Sequence, residues 1–324
     1  MSQRWRPTAS LELIKARACM LKNIRAFFDE QGVLEVETPL LSSSATTDPN
    51  LQSFSTRFSG KSLYLNTSPE YDMKRLLVAY GEAIFQICKA FRDEELGPNH
   101  QPEFTMLEWY RPGFDMFQLM DEVEQLVRLL VSEDSVSTQT MQRLTYAQAF
   151  RQYAGINPHT VTANECLQCA SDNNIEQPVG LDDDVDEWLD WLLTQLVLPS
   201  MPSDTFTFIY DYPQSQCALA RLRTDECGQQ VAARFELFYG EREIANGFHE
   251  LQDAKEQRHR FEVENASRVN KGLKPMSIDE KVLAALDHGL PDCSGVALGL
   301  DRLLMLLTNS QEIQQVLAFG MTSK

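Results

Sequence analysis

The stretch that decides the fold covers residues 84–110, IFQICKAFRDEELGPNHQPEFTMLEWY. Apolar residues dominate both of its ends, and its middle is rich in glycine, proline and asparagine. This pattern predicts a hairpin of two strands, 84–92 and 104–110, joined by a long polar loop.

One face of the second strand combines a carboxylate with large apolar groups. Because successive side chains of a strand point to opposite faces, Glu108 lies on the same face as Phe104, Met106 and Tyr110. A buried carboxylate needs a partner, and a bound cation is one natural explanation. Arg92, at the end of the first strand, carries a planar guanidinium suited to phosphate or carboxylate. A simple ion pair in a solvated hairpin is the alternative at this point.

Three segments resemble, in the right order, the motifs of class II aminoacyl-tRNA synthetases, and of lysyl-tRNA synthetase in particular. Residues 32–39, GVLEVETP, resemble motif 1. Residues 91–108, which include FRDE and PEFTMLE, resemble motif 2, and residues 295–302, GVALGLDR, resemble motif 3. The resemblance implies an α+β fold, an antiparallel sheet flanked by helices, over residues 1–324, with a helical insertion at about 142–200.

Periodicity and turn residues predict most of the other elements. Helices are expected over 10–31, 115–131 and 252–271. Strands are expected over 33–36, 61–65, 205–210 and 234–239, and strands with turns over 241–251. A further helix is expected to begin at Pro69, with Thr67 or Ser68 as its cap, and Asp301 is expected to cap the last helix.

The composition is that of an ordinary globular protein. The chain has 324 residues, of which 43% are hydrophobic, so it can bury a large core. We find no apolar run of about 18 residues and no signal-peptide pattern, and we therefore expect a cytoplasmic protein without a membrane segment. The seven cysteines are scattered, and the lone pair Cys166 and Cys169 is expected to lie in a helix rather than to bind zinc.

The net charge of −18 bears on the partner. Affinity for nucleic acids comes mostly from lysine and arginine at phosphates, so an acidic chain does not favour a broad nucleic-acid footprint. The acidic surface points to a protein or a small cationic partner more than to tRNA.

The resemblance implies an ATP site built from arginines, since the chain has neither a GxxxxGK[ST] loop nor a GxGxxG motif. Arg92 and Arg302 are the catalytic residues it implies, the first at the substrate carboxylate and α-phosphate, the second at the γ-phosphate and adenine. Glu236 and Glu243 are implied as ligands of Mg²⁺. The full set implied to bind ATP is Arg92, Asp93, Glu94, His100, Gln101, Phe104, Glu243, Ile244, Gly299 and Arg302.

The resemblance also implies a pocket for a lysine-type amino acid. The residues implied to line it are Ser68, Pro69, Glu70, Glu108, Tyr110, Asn246, Phe248, Glu250 and Ala297. Ser68 and Ala297 stand where lysyl-tRNA synthetases usually have alanine and glycine, which suggests a β-amino acid; neutral drift of two small residues is the alternative. In the motif 2 loop, Asn99 and Gln101 also depart from the usual arginine and asparagine.

Motif 1 begins at residue 32, which leaves no room before it for the anticodon-binding barrel of lysyl-tRNA synthetases. In this respect the chain is similar to the lysine ligases of elongation factor P, which transfer a lysine-type residue, preferentially (R)-β-lysine, to a lysine of that factor. This similarity implies elongation factor P as the protein partner, ATP and Mg²⁺ as cofactors, no tRNA, and a homodimer formed through motif 1. Two alternatives stay open: a truncated synthetase that charges tRNA, and a non-catalytic paralogue that senses an amino acid.

Overall fold

A computed structural model describes residues 5–93, 95–131, 141–176, 181 and 184–321. In this part of the chain, a nine-stranded, mainly antiparallel sheet with helices on its faces forms the centre of the fold. The strands are β1 Leu34–Glu35, β2 Leu41–Ser42, β3 Ser55–Phe58, β4 Lys61–Leu65, β5 Ile84–Phe91, β6 Glu103–Pro112, β7 Gln142–Thr145, β8 Phe206–Pro213, β9 Leu222–Thr224, β10 Gln230–Tyr239, β11 Arg242–His249 and β12 Cys293–Gly299. The helices are α1 Leu11–Glu30, α2 Glu70–Tyr80, α3 Met116–Leu130, α4 Tyr146–Tyr153, α5 Ala163–Asp172, α6 Val185–Leu192, α7 Leu198–Ser200, α8 Ala254–Asn270, α9 Glu280–Gly289 and α10 Leu300–Leu307, with a π-helical segment at Leu193–Val197.

The large sheet has the strand order β1-β5-β6-β12-β11-β10-β8-β7, and β9 pairs with β10. Strand β12 therefore lies between the second strand of the predicted hairpin and β11. In the register of these three strands, Ala297 is opposite Glu108 on one side and opposite Asn246 on the other. The sheet thus aligns three residues from distant parts of the sequence in one row.

The main core lies between this sheet and helices α1, α3 and α10. Trp109, which alternates with Glu108 along β6, is fully buried, and its ring centroid lies 5.4 Å from that of Phe28 on α1. Phe28 also stacks on Phe85 at 4.5 Å. Each such buried ring stabilises the fold by about 1.5 to 3 kcal/mol. This packing fixes the position of the sheet, whose other face carries Glu108.

The start and the buried face of helix α3 both follow from local features of its sequence. The Asp115 side chain accepts a hydrogen bond of 2.8 Å from the Gln118 backbone N–H, and the Gln118 side chain accepts one of 2.9 Å from the Asp115 N–H. This capping box satisfies two backbone donors at the start of the helix. Its apolar stripe, which includes Leu119, Val123 and Leu126, is fully buried in the main core.

The predicted hairpin, the strands that follow it and the three long helices are confirmed, with small shifts at their ends. The α+β architecture, a mainly antiparallel sheet flanked by helices, is confirmed as well. The segment 142–200 contains helices α4 to α7, but its first residues form strand β7, where we predicted a helix. β7 pairs in parallel with β8, because the edge of the sheet offers backbone partners that a short segment cannot supply itself.

Of the two predicted helix caps, that of α2 is confirmed in part and that of α10 is wrong. Helix α2 begins at Glu70, with Pro69 as its N-cap and no side-chain capping bond from that residue; the Ser68 hydroxyl accepts a 3.1 Å bond from the Glu70 N–H. Helix α10 begins at Leu300, and the Asp301 carboxylate instead accepts a 2.6 Å bond from the Thr105 N–H and pairs with the Arg17 guanidinium. Tertiary partners take the Asp301 side chain away from its helix end, whereas Ser68 stays bonded to the start of α2 and also donates to Glu108.

Within the described ranges, no helix combines the length and the apolar composition that a membrane crossing requires. The seven cysteines are free thiols. Cys166 and Cys169 both lie in α5, as predicted, and both are buried.

Candidate active site

A cleft of about 400 Å³ opens along strands β6, β10, β11 and β12. It collects most of the predicted site residues. Those that line it are Ser68, Glu70, Arg92, His100, Gln101, Phe104, Glu108, Tyr110, Glu236, Glu243, Ile244, Asn246, Phe248, Glu250, Ala297, Gly299 and Arg302.

Three predicted residues are not part of the cleft wall that the structure describes. Pro69 is the N-cap of α2. The backbone N–H of Asp93 donates a 2.8 Å hydrogen bond to the Gln52 carbonyl, which ties the chain after β5 to another loop. Glu94 lies outside the described residues. The roles of these three residues stay predictions, as do those of the residues that line the cleft.

Glu108 is held from both sides at one end of the cleft. The Ser68 hydroxyl donates to its Oε2 at 2.7 Å and the Tyr110 hydroxyl donates to its Oε1 at 2.8 Å. Burial, with the charge of Glu70 adding to it, raises the pKa of Glu108 to about 8, while the two hydrogen bonds oppose the rise. The carboxyl group is therefore oriented, and because burial favours its protonated form, a bound ammonium group would stabilise the ionised form.

Glu70 and Glu250 form a second carboxylate pair beside it. Lys74 lies between them, with Nζ 2.7 Å from Glu70 Oε1 and 2.7 Å from Glu250 Oε2. Burial raises the pKa of Glu250 to about 7, Lys74 opposes this rise, and the charge of Glu70 adds to it. Lys74 was not among the predicted site residues. The available signal was its position four residues after Glu70 on a helix, the spacing at which opposite charges meet.

A glycine leaves open the space beside Tyr110 and Glu250 in the cleft. Gly295 is opposite Tyr110 in the sheet, and a Cβ at Gly295 would overlap the Tyr110 ring and lie 2.7 Å from Glu250 Oε1. Asn246, one strand further, has a buried Oδ1 without a hydrogen-bond partner among the described residues. This end of the cleft therefore has both room and a free acceptor.

Arg92 marks the other end of the cleft. Its guanidinium carbon lies 5.1 Å above the centre of the Phe104 ring, and its Nη1 lies 3.7 Å from Glu95 Oε1. The buried Nε has no hydrogen-bond partner in the described part of the chain. Stacking thus fixes the plane of the guanidinium while donors stay available for an anion.

Arg302 connects helix α10 to the motif 2 loop. Its Nη2 lies 2.7 Å from His100 Nε2, and its Nη1 donates to the Glu243 carbonyl at 3.0 Å. Burial, followed by the charge of Arg302, lowers the pKa of His100. The imidazole is therefore neutral at pH 7 and accepts the hydrogen bond through Nε2.

Gln101, predicted near the adenine, has its amide engaged elsewhere. Its Nε2 donates to the Met321 carbonyl at 2.9 Å, and the Met321 N–H donates to its Oε1 at 2.8 Å. Although Gln101 lines the cleft, this pair of bonds makes its side chain an anchor between the motif 2 loop and the end of the chain.

The two predicted metal carboxylates differ in their surroundings. Glu236 is buried, accepts a 2.7 Å bond from the Tyr212 hydroxyl and pairs with Arg234, whereas the Glu243 side chain is 43% exposed. Burial raises the pKa of Glu236, Arg234 opposes this rise, and the charge of Glu243 adds to it.

Among the residues described, no group of three His, Cys, Asp or Glu side chains forms a complete metal cage. Mg²⁺ commonly uses only one or two carboxylates and takes its other ligands from phosphate and water. The open carboxylate of Glu243 beside Glu236 fits that kind of site.

Comparison with known proteins agrees with this geometry. The family model for class II tRNA synthetases (D, K and N) matches residues 3–323. An elongation factor P–(R)-β-lysine ligase of Pseudoalteromonas translucida (strain TAC 125) is 46% identical over 324 residues, which cover 98% of each chain. A protein of the same name from Salmonella paratyphi B is 44% identical over 321 residues, 97% of each chain.

The chain therefore belongs to the class II tRNA synthetase family and, within it, to the group of elongation factor P–(R)-β-lysine ligases.

Proposed function

We propose that this protein activates a lysine-type amino acid with ATP and transfers it to the ε-amino group of a lysine of elongation factor P. The observation that carries the proposal is the division of one cleft into two charged ends. Glu70, Glu108 and Glu250 form an acidic end suited to ammonium groups, and Arg92 and Arg302 form a basic end suited to a carboxylate and a triphosphate.

In the first step, an oxygen of the amino-acid carboxylate attacks the α-phosphorus of ATP. The bond from the α-phosphorus to the bridging oxygen breaks, pyrophosphate leaves, and an aminoacyl adenylate forms. Arg92 would hold the reacting carboxylate and the α-phosphate, and Arg302 would hold the γ-phosphate. Catalysis then comes from positioning and from charge neutralisation, because no covalent nucleophile is required.

Glu243, with Glu236 behind it, would hold Mg²⁺ at the triphosphate. A bound Mg²⁺ would neutralise the charge that develops on the leaving pyrophosphate. Arg234 offsets the charge of Glu236 when the metal is absent, which explains how two carboxylates are accommodated near each other.

In the second step, the deprotonated ε-amine of the acceptor lysine attacks the adenylate carbonyl. The carbon–oxygen bond to AMP breaks, AMP leaves, and an amide forms after the amine loses its proton. The net charge of −18 suits a protein acceptor better than tRNA, for which a basic footprint would be expected. We place this reaction in the cytoplasm.

We further propose a homodimer through α1 and β1. Support comes from the family and from apolar side chains that are exposed on and next to these elements in the single chain. These are Leu11, Ile14, Leu34 and Leu41. Light scattering on the purified protein tests this: a mass of one chain at micromolar concentration would contradict it.

The deciding experiment is mass spectrometry of elongation factor P incubated with this protein, ATP and either lysine or (R)-β-lysine. We expect the mass of one lysyl residue to be added, only when ATP is present. A parallel assay with tRNA(Lys) should show no charging, and pyrophosphate exchange should proceed without either acceptor. Charging of tRNA would favour the truncated synthetase, and absent exchange would favour the non-catalytic paralogue.

A further inference from the structure

Lys74 is a buried cation that the chemistry above does not use. It lies on α2, one side-chain layer behind the cleft: Glu70 and Glu250 line the cleft, whereas Lys74 does not. Only 2% of Lys74 is exposed, and the Glu250 side chain that it contacts is 1% exposed. A lysine in such a place requires close partners, and it has two at 2.7 Å.

We propose that Lys74 is a positioning residue that orients Glu70 and Glu250 and sets the pocket charge so that it selects an amino acid with two ammonium groups. The inference rests on the proposed function, because it concerns how the same pocket chooses its substrate.

The charges of the pocket support this selection. When the ammonium groups of a ligand hold Glu70, Glu108 and Glu250 in their ionised forms, the three carry three negative charges. Lys74 cancels one, which leaves two for the ligand. Lysine and β-lysine each have two ammonium groups, and their carboxylate is left for Arg92. Without Lys74, the buried Glu250 would have no adjacent cation to keep it ionised, and the pocket would offer the ligand a neutral carboxyl group in its place.

Other titratable groups also face this cluster, and one of them, Arg221, lowers the pKa of Glu250 as Lys74 does. Burial raises the pKa of Glu264 and the charge of Arg260 opposes this rise, while Arg221 lies 2.6 Å from Asp292. The thiols and phenols are neutral at pH 7, because burial raises their pKa values. The titratable groups that face the cluster are Tyr71, Cys88, Tyr110, Arg221, Arg260, Glu264, Asp292 and Cys293.

Lys74 acts on the substrate through Glu250. The carboxylate of Glu250 is buried, and burial raises its pKa, while the adjacent Lys74 lowers it. When Lys74 is removed, Glu250 takes up a proton at neutral pH and no longer attracts an ammonium group. The affinity for the amino acid should therefore fall, and its pH dependence should move to higher pH, whereas the affinity for ATP at the other end should not change.

Calorimetric titration of the full-length protein with lysine, (R)-β-lysine and, separately, ATP tests this. Lys74→Met is compared with the wild type and with Lys271→Met, which removes a surface lysine that also lies 2.7 Å from a glutamate, Glu187. We expect Lys74→Met to weaken amino-acid binding by on the order of a hundredfold, with ATP binding unchanged. Lys271→Met should bind both ligands as the wild type does.

A second comparison tests whether Lys74 acts through Glu250, with melting temperatures measured to show that each variant folds. Adding Lys74→Met to Glu250→Gln should weaken amino-acid binding much less than adding it to the wild type, since the carboxylate through which it acts is gone. Equal losses in the two backgrounds, or parallel losses of amino-acid and ATP binding, would overturn the inference. Absence of amino-acid binding by the wild type would instead overturn the proposed function, and this inference with it.

Discussion

The Ser68 hydroxyl donates a 2.7 Å hydrogen bond to Glu108 Oε2, which joins the start of α2 to the central strand β6. On the other side of the same carboxylate, Ala297 is the cross-strand neighbour of Glu108. Ser68 and Ala297, two of the residues that depart from the usual lysyl-tRNA synthetase pattern, are therefore both adjacent to Glu108. Their positions lead us to propose that the shape of the pocket around this carboxylate decides which amino acid is preferred.

The first prediction concerns Ala297. Its methyl group narrows the pocket between Glu108 and Asn246, and extra atoms in a tight site typically cost about 1 to 3 kcal/mol. We expect the wild type to activate (R)-β-lysine better than α-lysine, and Ala297→Gly to shift the preference towards α-lysine. The ratio of kcat/KM for the two amino acids, measured by pyrophosphate exchange in both proteins, checks this. An unchanged ratio would leave neutral drift as the explanation of Ala297.

The second prediction concerns Gly295, two residues earlier on the same strand. An alanine here would push its methyl group into the Tyr110 ring and against Glu250 Oε1, so one of the two side chains must move. We expect Gly295→Ala to lower kcat/KM for lysine by at least about tenfold and to reduce the melting temperature. Gly97→Ala is the control for stability, because a Cβ at that position meets no atom within 4 Å. Full activity of Gly295→Ala would contradict the packing described above.

The third prediction is a pH dependence of stability caused by Glu108. Burial raises its pKa from 4.5 to about 8 in the folded state, so the folded protein holds a proton that the unfolded chain has lost between these values. This contribution to stability is complete below pH 4.5 and is lost as the pH rises through about 8. Glutamine keeps its neutral form throughout, so the melting temperature of Glu108→Gln should exceed that of the wild type increasingly towards pH 8.

Glu103→Gln is the matched control, because Glu103 lies on the same strand but its side chain is 51% exposed. It should show no such trend. Glu108→Gln should also lose activity with lysine and discriminate less against norleucine, since the wild type leaves carboxylates uncompensated when the ligand lacks an ammonium group. If wild-type rates for lysine and norleucine were comparable, Glu108 would not be a cation site.

The fourth prediction concerns Arg92. Because its proposed partners are ligands and its ion pair to Glu95 is long, Arg92→Ala should lower pyrophosphate exchange by on the order of a hundredfold or more with little change in melting temperature. Arg75→Ala, which removes an exposed arginine paired with Asp72, is the control and should exchange normally. Normal exchange by Arg92→Ala with a large drop in melting temperature would mean that Arg92 is a structural ion pair.

The central hairpin, and which side chains lie on each of its two faces, could be predicted from the sequence because both follow from local patterns. The alternation along β6 separates Glu108 from Trp109, and period two alone places the first in the cleft and the second in the core. The resemblance to three motifs then added residues from other segments, and most of them do line the cleft.

What only the tertiary structure decided is which side chains neutralise one another. Lys74 contacts Glu250, Gln101 bonds to the backbone of Met321, and Asp301 binds Arg17 and Thr105 instead of capping its helix. No local pattern encodes these contacts, because each joins residues far apart in the sequence that meet only when the sheet has formed. The sequence by itself determined the strands, their faces and the kinds of charge in the cleft, since these follow from local periodicity and composition. The packing of the sheet decided which of those charges pair within the protein and which are left to contact a substrate.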